Sequence, residues 1–102
     1  MLTLHYNPLT ISAVTAIVLE ELEVAYSPIL VDFSDVSQQS LAYLALNPKG
    51  RVPTLETPNG VLTETGAILE YLAALHGPHL IPEDAFQAGR MRETMYYLAA
   101  TV

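Results

Sequence analysis

The chain has 102 residues, the size of one compact domain, which leaves no room for two independent cores or a long repeat array. It is 51% hydrophobic with a mean hydropathy of +0.31 and only 15% charged, values that exclude a disordered, solvating chain. Lys and Arg total 4 against 11 acids, a formal net charge of −7, so the phosphate attraction behind nucleic-acid binding has no source here.

The start, Met1 to Tyr6, has no basic leader region, and no run reaches the roughly 18 apolar residues of a membrane span. The expectation is a cytoplasmic chain with neither membrane nor nucleic acid as partner. Leu2-Thr3-Leu4-His5-Tyr6 reads as a strand closed by Asn7-Pro8. From Ser12 to Glu23 the residues Val14, Ile17, Val18 and Leu22 recur at helical spacing, with Thr10 or Ser12 placed to cap. Glu20, Glu21 and Glu23 crowd the end of that helix where its dipole disfavours acids, and they read as a solvated terminus. Tyr26 to Val31 is a second strand, and the strand, helix, strand connection makes the pair parallel.

Leu41, Leu44 and Ala45 suggest a short helix stopped by Asn47-Pro48. Val52 to Glu56 and Val61 to Thr63 flank Pro58-Asn59-Gly60, a hairpin signal. Thr65 or Glu64 opens another helix, with Ile68, Leu69, Leu72 and Leu75 as its core stripe and His76-Gly77-Pro78 as its stop. Asp84 is placed to cap a last helix running through Arg90 to about Ala100. Met91, Met95, Leu98 and Ala99 are expected to face the rest of the chain, and Tyr97 and Ala100 a partner. Neither Gly, Pro nor a polar tail follows Thr101-Val102, so this helix reads as cut short. The order strand, helix, strand, helix, strand, strand, helix describes an α/β thioredoxin-like sandwich: a mixed four-stranded sheet with helices and one trailing helix.

Two segments carry the chemistry. In Asn47-Pro48-Lys49-Gly50-Arg51-Val52-Pro53-Thr54-Leu55, the Val-Pro step removes a ladder donor and leaves the Val52 backbone available to a peptide-like ligand. A cis bond at Pro53 fits such a turn. Lys49 and Arg51 are the only cations in the first 89 residues, and both lie in this loop. In Leu62-Thr63-Glu64-Thr65-Gly66-Ala67-Ile68, the Thr65 hydroxyl and the free N–H groups of a helix start can hold a carboxylate, and Glu64 can pair with an ammonium. As ordinary structure, the first segment is a loop with two solvated cations and the second an N-cap. His5, His76 and His79 lack metal-site spacing, the glycines form no phosphate loop, and the absence of cysteine removes disulfide scaffolds, thiolate zinc sites and a catalytic thiol.

Taken together and in this order, these segments, the strand ending Tyr6-Asn7-Pro8 and the Leu19-Glu20-Glu21-Leu22 helix end resemble the amino-terminal domain of the glutathione S-transferases, from Leu2 to about His76. The resemblance implies that Val52, before the cis Pro53, pairs through its backbone with the cysteinyl part of glutathione as co-substrate. It implies that Glu64 and Thr65 hold the γ-glutamyl end, and that Lys49 or Arg51 reaches the glycyl carboxylate. A hydroxyl near the end of the first strand would activate the thiol; Thr10 stands first, with Tyr6 and Ser12 as alternatives. The family often carries an Arg after the active hydroxyl, and Ile11-Ser12-Ala13-Val14 has none.

The resemblance further implies residues 1–76 as the glutathione-binding domain, 77–83 as linker and 84–102 as the first helix of a truncated all-helical second domain. It also implies a homodimer, no metal, and transfer of the thiolate to a small apolar electrophile whose pocket lies largely outside these residues. The alternative is a non-catalytic interaction or assembly domain of the same fold, as in stringent starvation protein A and the gamma subunit of translation elongation factor. A glutaredoxin-like reductase fails for want of a cysteine.

Overall fold

A computed structural model describes residues 1–32 and 39–101, with side chains through residue 97. The elements are β1 (Leu2–Tyr6), α1 (Ala13–Glu21), β2 (Tyr26–Leu30), α2 (Leu41–Leu46), β3 (Thr54–Thr57), β4 (Gly60–Thr63), α3 (Thr65–His76) and α4 (Ala85–Thr101), with a 3₁₀ turn at Pro78–Leu80. The strands form one sheet in the order β2-β1-β3-β4. β1 runs parallel to β2, with Leu2 opposite Tyr26, and antiparallel to β3, with His5 opposite Thr54. β3 and β4 close the hairpin with Thr54 opposite Thr63. This is the mixed thioredoxin-like sheet expected from the sequence.

Alternation along β1 explains the layers, because successive side chains leave a strand on opposite faces. Leu2 and Leu4 join Leu19 of α1, Leu55 of β3, and Ile68 and Leu72 of α3 in one buried cluster. His5, on the other face, is also buried, and its ring meets Tyr43 of α2 edge-on with centroids 5.7 Å apart. The sheet is therefore covered by α1 and α3 on one side and by α2 on the other.

Several local readings change: on α1, Ile17 is exposed while Thr15 and Leu19 are buried, and Ser12 stands at the N-cap without a side-chain capping bond. The core stripe of α3 is Ile68, Leu72 and Ala73, whereas Leu69 is half-buried and Leu75 is 59% exposed. Periodicity gives Leu75 the direction of Ile68, but in the last turn of the helix none of the described residues covers it. The third strand begins at Thr54 rather than Val52, because Pro53 brings no N–H to the ladder. The acids ending α1 are also more than a solvated terminus. Glu20 accepts a hydrogen bond from the Tyr26 hydroxyl at 3.1 Å. Glu23 takes φ +56°, and the bonds from Val24 N to Leu19 O and from Glu23 N to Glu20 O complete a Schellman ending on a residue other than glycine.

Asp84 caps α4 as expected, its carboxylate accepting from the Gln87 N–H at 2.9 Å. Met91 and Met95 face α3 across an apolar cavity of about 140 Å³ that Val18, Leu69, Ala73 and Ile81 also line. Arg92 donates from Nε and Nη2 to Glu70 of α3 at 2.9 and 2.8 Å, tying the two helices. Tyr97 is exposed, while the side chains of Leu98, Ala99 and Ala100 lie outside the described residues.

Candidate functional site

The pairing register brings the two chemistry-bearing segments to one end of the sheet. Thr54 and Thr63 are opposite each other, so Val52 and Pro53, entering β3, lie beside Glu64 and Thr65, leaving β4. His5 is opposite Thr54 on the other side, so Tyr6 and the loop after β1 reach the same end. Ligands of open α/β sheets gather where parallel strands end, as β1 and β2 do here.

Asn47 builds the loop before β3. Its carbonyl accepts from the Gly50 N–H at 2.9 Å and its side-chain oxygen from the Lys49 N–H at 3.1 Å. Pro48 occupies the second position of this turn, where its fixed φ is already right, and Gly50 follows at φ +63°, a conformation that costs glycine least. The Val52–Pro53 bond is cis. Among the described residues, the Val52 N–H and C=O have no hydrogen-bond partner, and Val52 is only half-buried. Backbone groups of this kind are normally paired, so the loop presents one free donor and one free acceptor.

The junction of β4 and α3 supplies the charges. Glu64 stands at the N-cap with φ +76° and ψ +124°, outside the region non-glycine residues favour, and its side chain caps nothing. That conformation turns the carboxylate away from the helix and toward Lys49. Lys49 Nζ donates to a Glu64 carboxylate oxygen and, at 2.9 Å, to the Thr63 hydroxyl. Thr65 and the next two residues leave their N–H groups at the positive end of a 12-residue helix. Arg51 is exposed and its side chain has no ion-pair partner among the described residues.

The loop after β1 is organised by Asn7. Its carbonyl accepts from the Thr10 hydroxyl at 2.9 Å and from the Ser12 hydroxyl at 3.1 Å, and its N–H donates to Ser12 Oγ at 3.0 Å. The Thr10 and Ser12 hydroxyls are 2.6 Å apart. Ser12 is fully buried and Thr10 is half-buried. Tyr6 packs its ring against the core cluster. The structure therefore gathers Lys49, Val52, Pro53, Glu64 and Thr65 around one surface, with Thr10 on the neighbouring loop, and places Ser12 beneath it.

A second set of residues supports the site: Asn47 and Thr54 belong to the segment marked in the sequence but have no site role of their own there, and Tyr43 is not marked. Tyr43 of α2, Asn47 and Thr54 are all buried behind the loop. The Tyr43 hydroxyl donates to the Arg51 carbonyl at 2.5 Å and lies 2.7 Å from Thr54 Oγ1, while Asn47 Nδ2 donates to the same carbonyl at 2.9 Å. Burial pushes the Tyr43 phenol above its ordinary range, opposed by hydrogen bonds with Thr54 and Asn47. The available signal was Asn-Pro, a known turn opener, but Tyr43 sits at helical spacing among Leu41, Leu44 and Ala45 and reads there as packing. Among the described residues no group of three or more His, Cys, Asp or Glu gathers to hold a metal.

Residues 2–74 match the family model described as glutathione S-transferase, N-terminal domain. The chain is 39% identical over 90 residues to a glutathione S-transferase-like protein, gedE, of Aspergillus terreus, covering 83% of this chain and 39% of that protein. Among solved structures, a glutathione transferase homolog from Sulfitobacter with bound glutathione superposes with a TM-score of 0.92 at 50% identity, covering 97% of this chain and 49% of that one. An epsilon-class glutathione S-transferase from the housefly, Musca domestica, gives a TM-score of 0.88 at 26% identity, over 95% of this chain and 46% of that one. The chain thus spans half or less of the length of these relatives.

Proposed function

We propose, given that this chain belongs to the glutathione S-transferase family through its amino-terminal thioredoxin-like domain, that it binds glutathione at the end of the sheet and presents its thiol to an apolar electrophile. The observation that carries the reading is the free Val52 backbone beside a cation, an acid and a helix start. Glutathione is a tripeptide with two carboxylates and one ammonium, and these four features match its parts. Val52 pairs with the cysteinyl backbone as an added strand would. Glu64 takes the ammonium, Thr65 and the first turn of α3 take the α-carboxylate, and Lys49 or Arg51 takes the glycyl carboxylate.

For the thiol, a hydroxyl that donates to the thiolate lowers its pKa. Thr10 is the assigned donor. Ser12, fully buried and tied to Asn7, anchors the loop instead, and its hydroxyl keeps the Asn7 carbonyl partnered when the Thr10 proton turns to the ligand. Tyr6 fills space against the core.

Residues 1–76 are proposed as the glutathione-binding domain, 77–83 as linker and 84–102 as the start of a helical domain that completes the electrophile pocket. Self-association into a dimer belongs to the same proposal, supported by Phe86, Tyr96 and Tyr97, exposed along α4. The assembly-domain alternative is not favoured, since these relatives are described as transferases or homologs of them.

Calorimetric titration with glutathione tests the reading. Saturable heat with a dissociation constant below about 1 mM, or roughly 4 kcal/mol, is expected. Absence of heat at millimolar ligand would remove the assignments to Val52, Glu64 and Thr65.

A further inference from the structure

The peptide group joining Arg51 to Val52 is trans, since the only cis bond among the described residues is the next one along. In a planar trans peptide the C=O and N–H point in opposite directions. The Arg51 carbonyl is held from inside by the Tyr43 hydroxyl at 2.5 Å and the Asn47 amide at 2.9 Å. Both side chains are buried, Tyr43 at 6% exposure and Asn47 at 1%. The Val52 N–H, at the other edge of the same plane, is thereby aimed away from them and has no partner among the described residues. The hydrogens of the cluster fit one arrangement. Asn47 donates to the Arg51 carbonyl and to Thr54 Oγ1, Thr54 donates to the Tyr43 oxygen, and Tyr43 donates to the Arg51 carbonyl.

We infer that Tyr43 is a positioning residue of the ligand site: its hydroxyl, with Asn47, pins the Arg51 carbonyl and so sets the direction in which Val52 offers its N–H to the cysteinyl backbone of glutathione. The inference rests on the glutathione reading proposed above and adds a residue on α2, on the far face of the sheet from α1 and α3, that never touches the ligand. Because burial holds the phenol protonated through the ordinary pH range, the donor is constant. Asn47 is fixed by the turn it builds, whereas the Tyr43 hydroxyl can be removed with its ring left in place.

The test compares the unaltered chain with Tyr43→Phe and Thr54→Val by calorimetry with glutathione and by the amide proton and nitrogen shifts of Val52. Tyr43→Phe is expected to weaken glutathione binding about three- to tenfold, the scale of one hydrogen bond, and to move the Val52 amide signal in the ligand-free protein. Thr54→Val disturbs the same buried cluster but leaves both donors on the Arg51 carbonyl, and is expected to change affinity less than about twofold with the Val52 signal in place. Glutathione binding that moves the Val52 amide in the unaltered chain, with Tyr43→Phe binding equally well, overturns the positioning role and leaves the site standing. Equal losses in Tyr43→Phe and Thr54→Val, or loss of folding in both, also overturn it in favour of a structural role. No binding by the unaltered chain removes the site and the inference together.

Discussion

Thr10 and Tyr6 sit four residues apart and stand in different surroundings. The Thr10 hydroxyl lies in a polar loop, with the Asn7 carbonyl and the Ser12 hydroxyl within 2.9 Å, whereas the Tyr6 ring leans on the leucine cluster. If Thr10 donates to the ligand's sulfur, Thr10→Ala raises the bound glutathione thiol pKa by about one unit, equivalent to about 1.4 kcal/mol. The ultraviolet absorbance of the thiolate, followed against pH, reads this directly, and Tyr6→Phe leaves the curve in place. An unshifted curve in Thr10→Ala removes Thr10 as donor. The residues legible in the sequence are those whose role follows from near neighbours: Val52 by the proline after it, Lys49 by the shortage of other cations, and Glu64 by the helix that begins beside it. Tyr43 and Thr54 were illegible because their role arises between elements eleven residues apart, and Asn7 because its turn was visible while its hub of hydrogen bonds was not.

At the scale of elements, periodicity, composition and turn signals located the helices and strands of the described residues and erred on the facing of particular side chains. Leu72 and Leu75 both looked like core; Leu72 is fully buried and Leu75 is 59% exposed. Leu72→Ala is therefore expected to cost about 2–5 kcal/mol, as buried leucine truncations do. Leu75→Ala stays within about 0.5 kcal/mol, and the urea midpoints of the two variants measure the contrast. Similar midpoint shifts for both would mean that something covers Leu75 in solution. The α1 ending makes the same point from the other side. A row of acids reads as surface, yet Glu23 adopts the positive φ that ends the helix and lets Val24 turn into β2.

On the whole-molecule scale, exposed large hydrophobics are spread over the chain, and three of them, Phe86, Tyr96 and Tyr97, stand on α4. Sedimentation at tens of micromolar is expected to give about twice the 11.1 kDa chain mass, the signature of a dimer. A species of 11.1 kDa at all concentrations would remove that proposal. Net charge gives a second whole-molecule fact, a chain at −7 that nonetheless is proposed to take a ligand with two carboxylates. The Lys49–Glu64 contact bears on how such a ligand enters. Both side chains are partly exposed, at 47% and 66%, so the pair itself is worth only about 0–1 kcal/mol and parts readily. A ligand that brings an ammonium and a carboxylate gives each member a replacement, an exchange of partners that leaves no charge stranded. A purely anionic ligand frees Lys49 but strands Glu64 beside new negative charge. At the proposed site, the contact thus favours a ligand that carries both charges over one that is purely anionic.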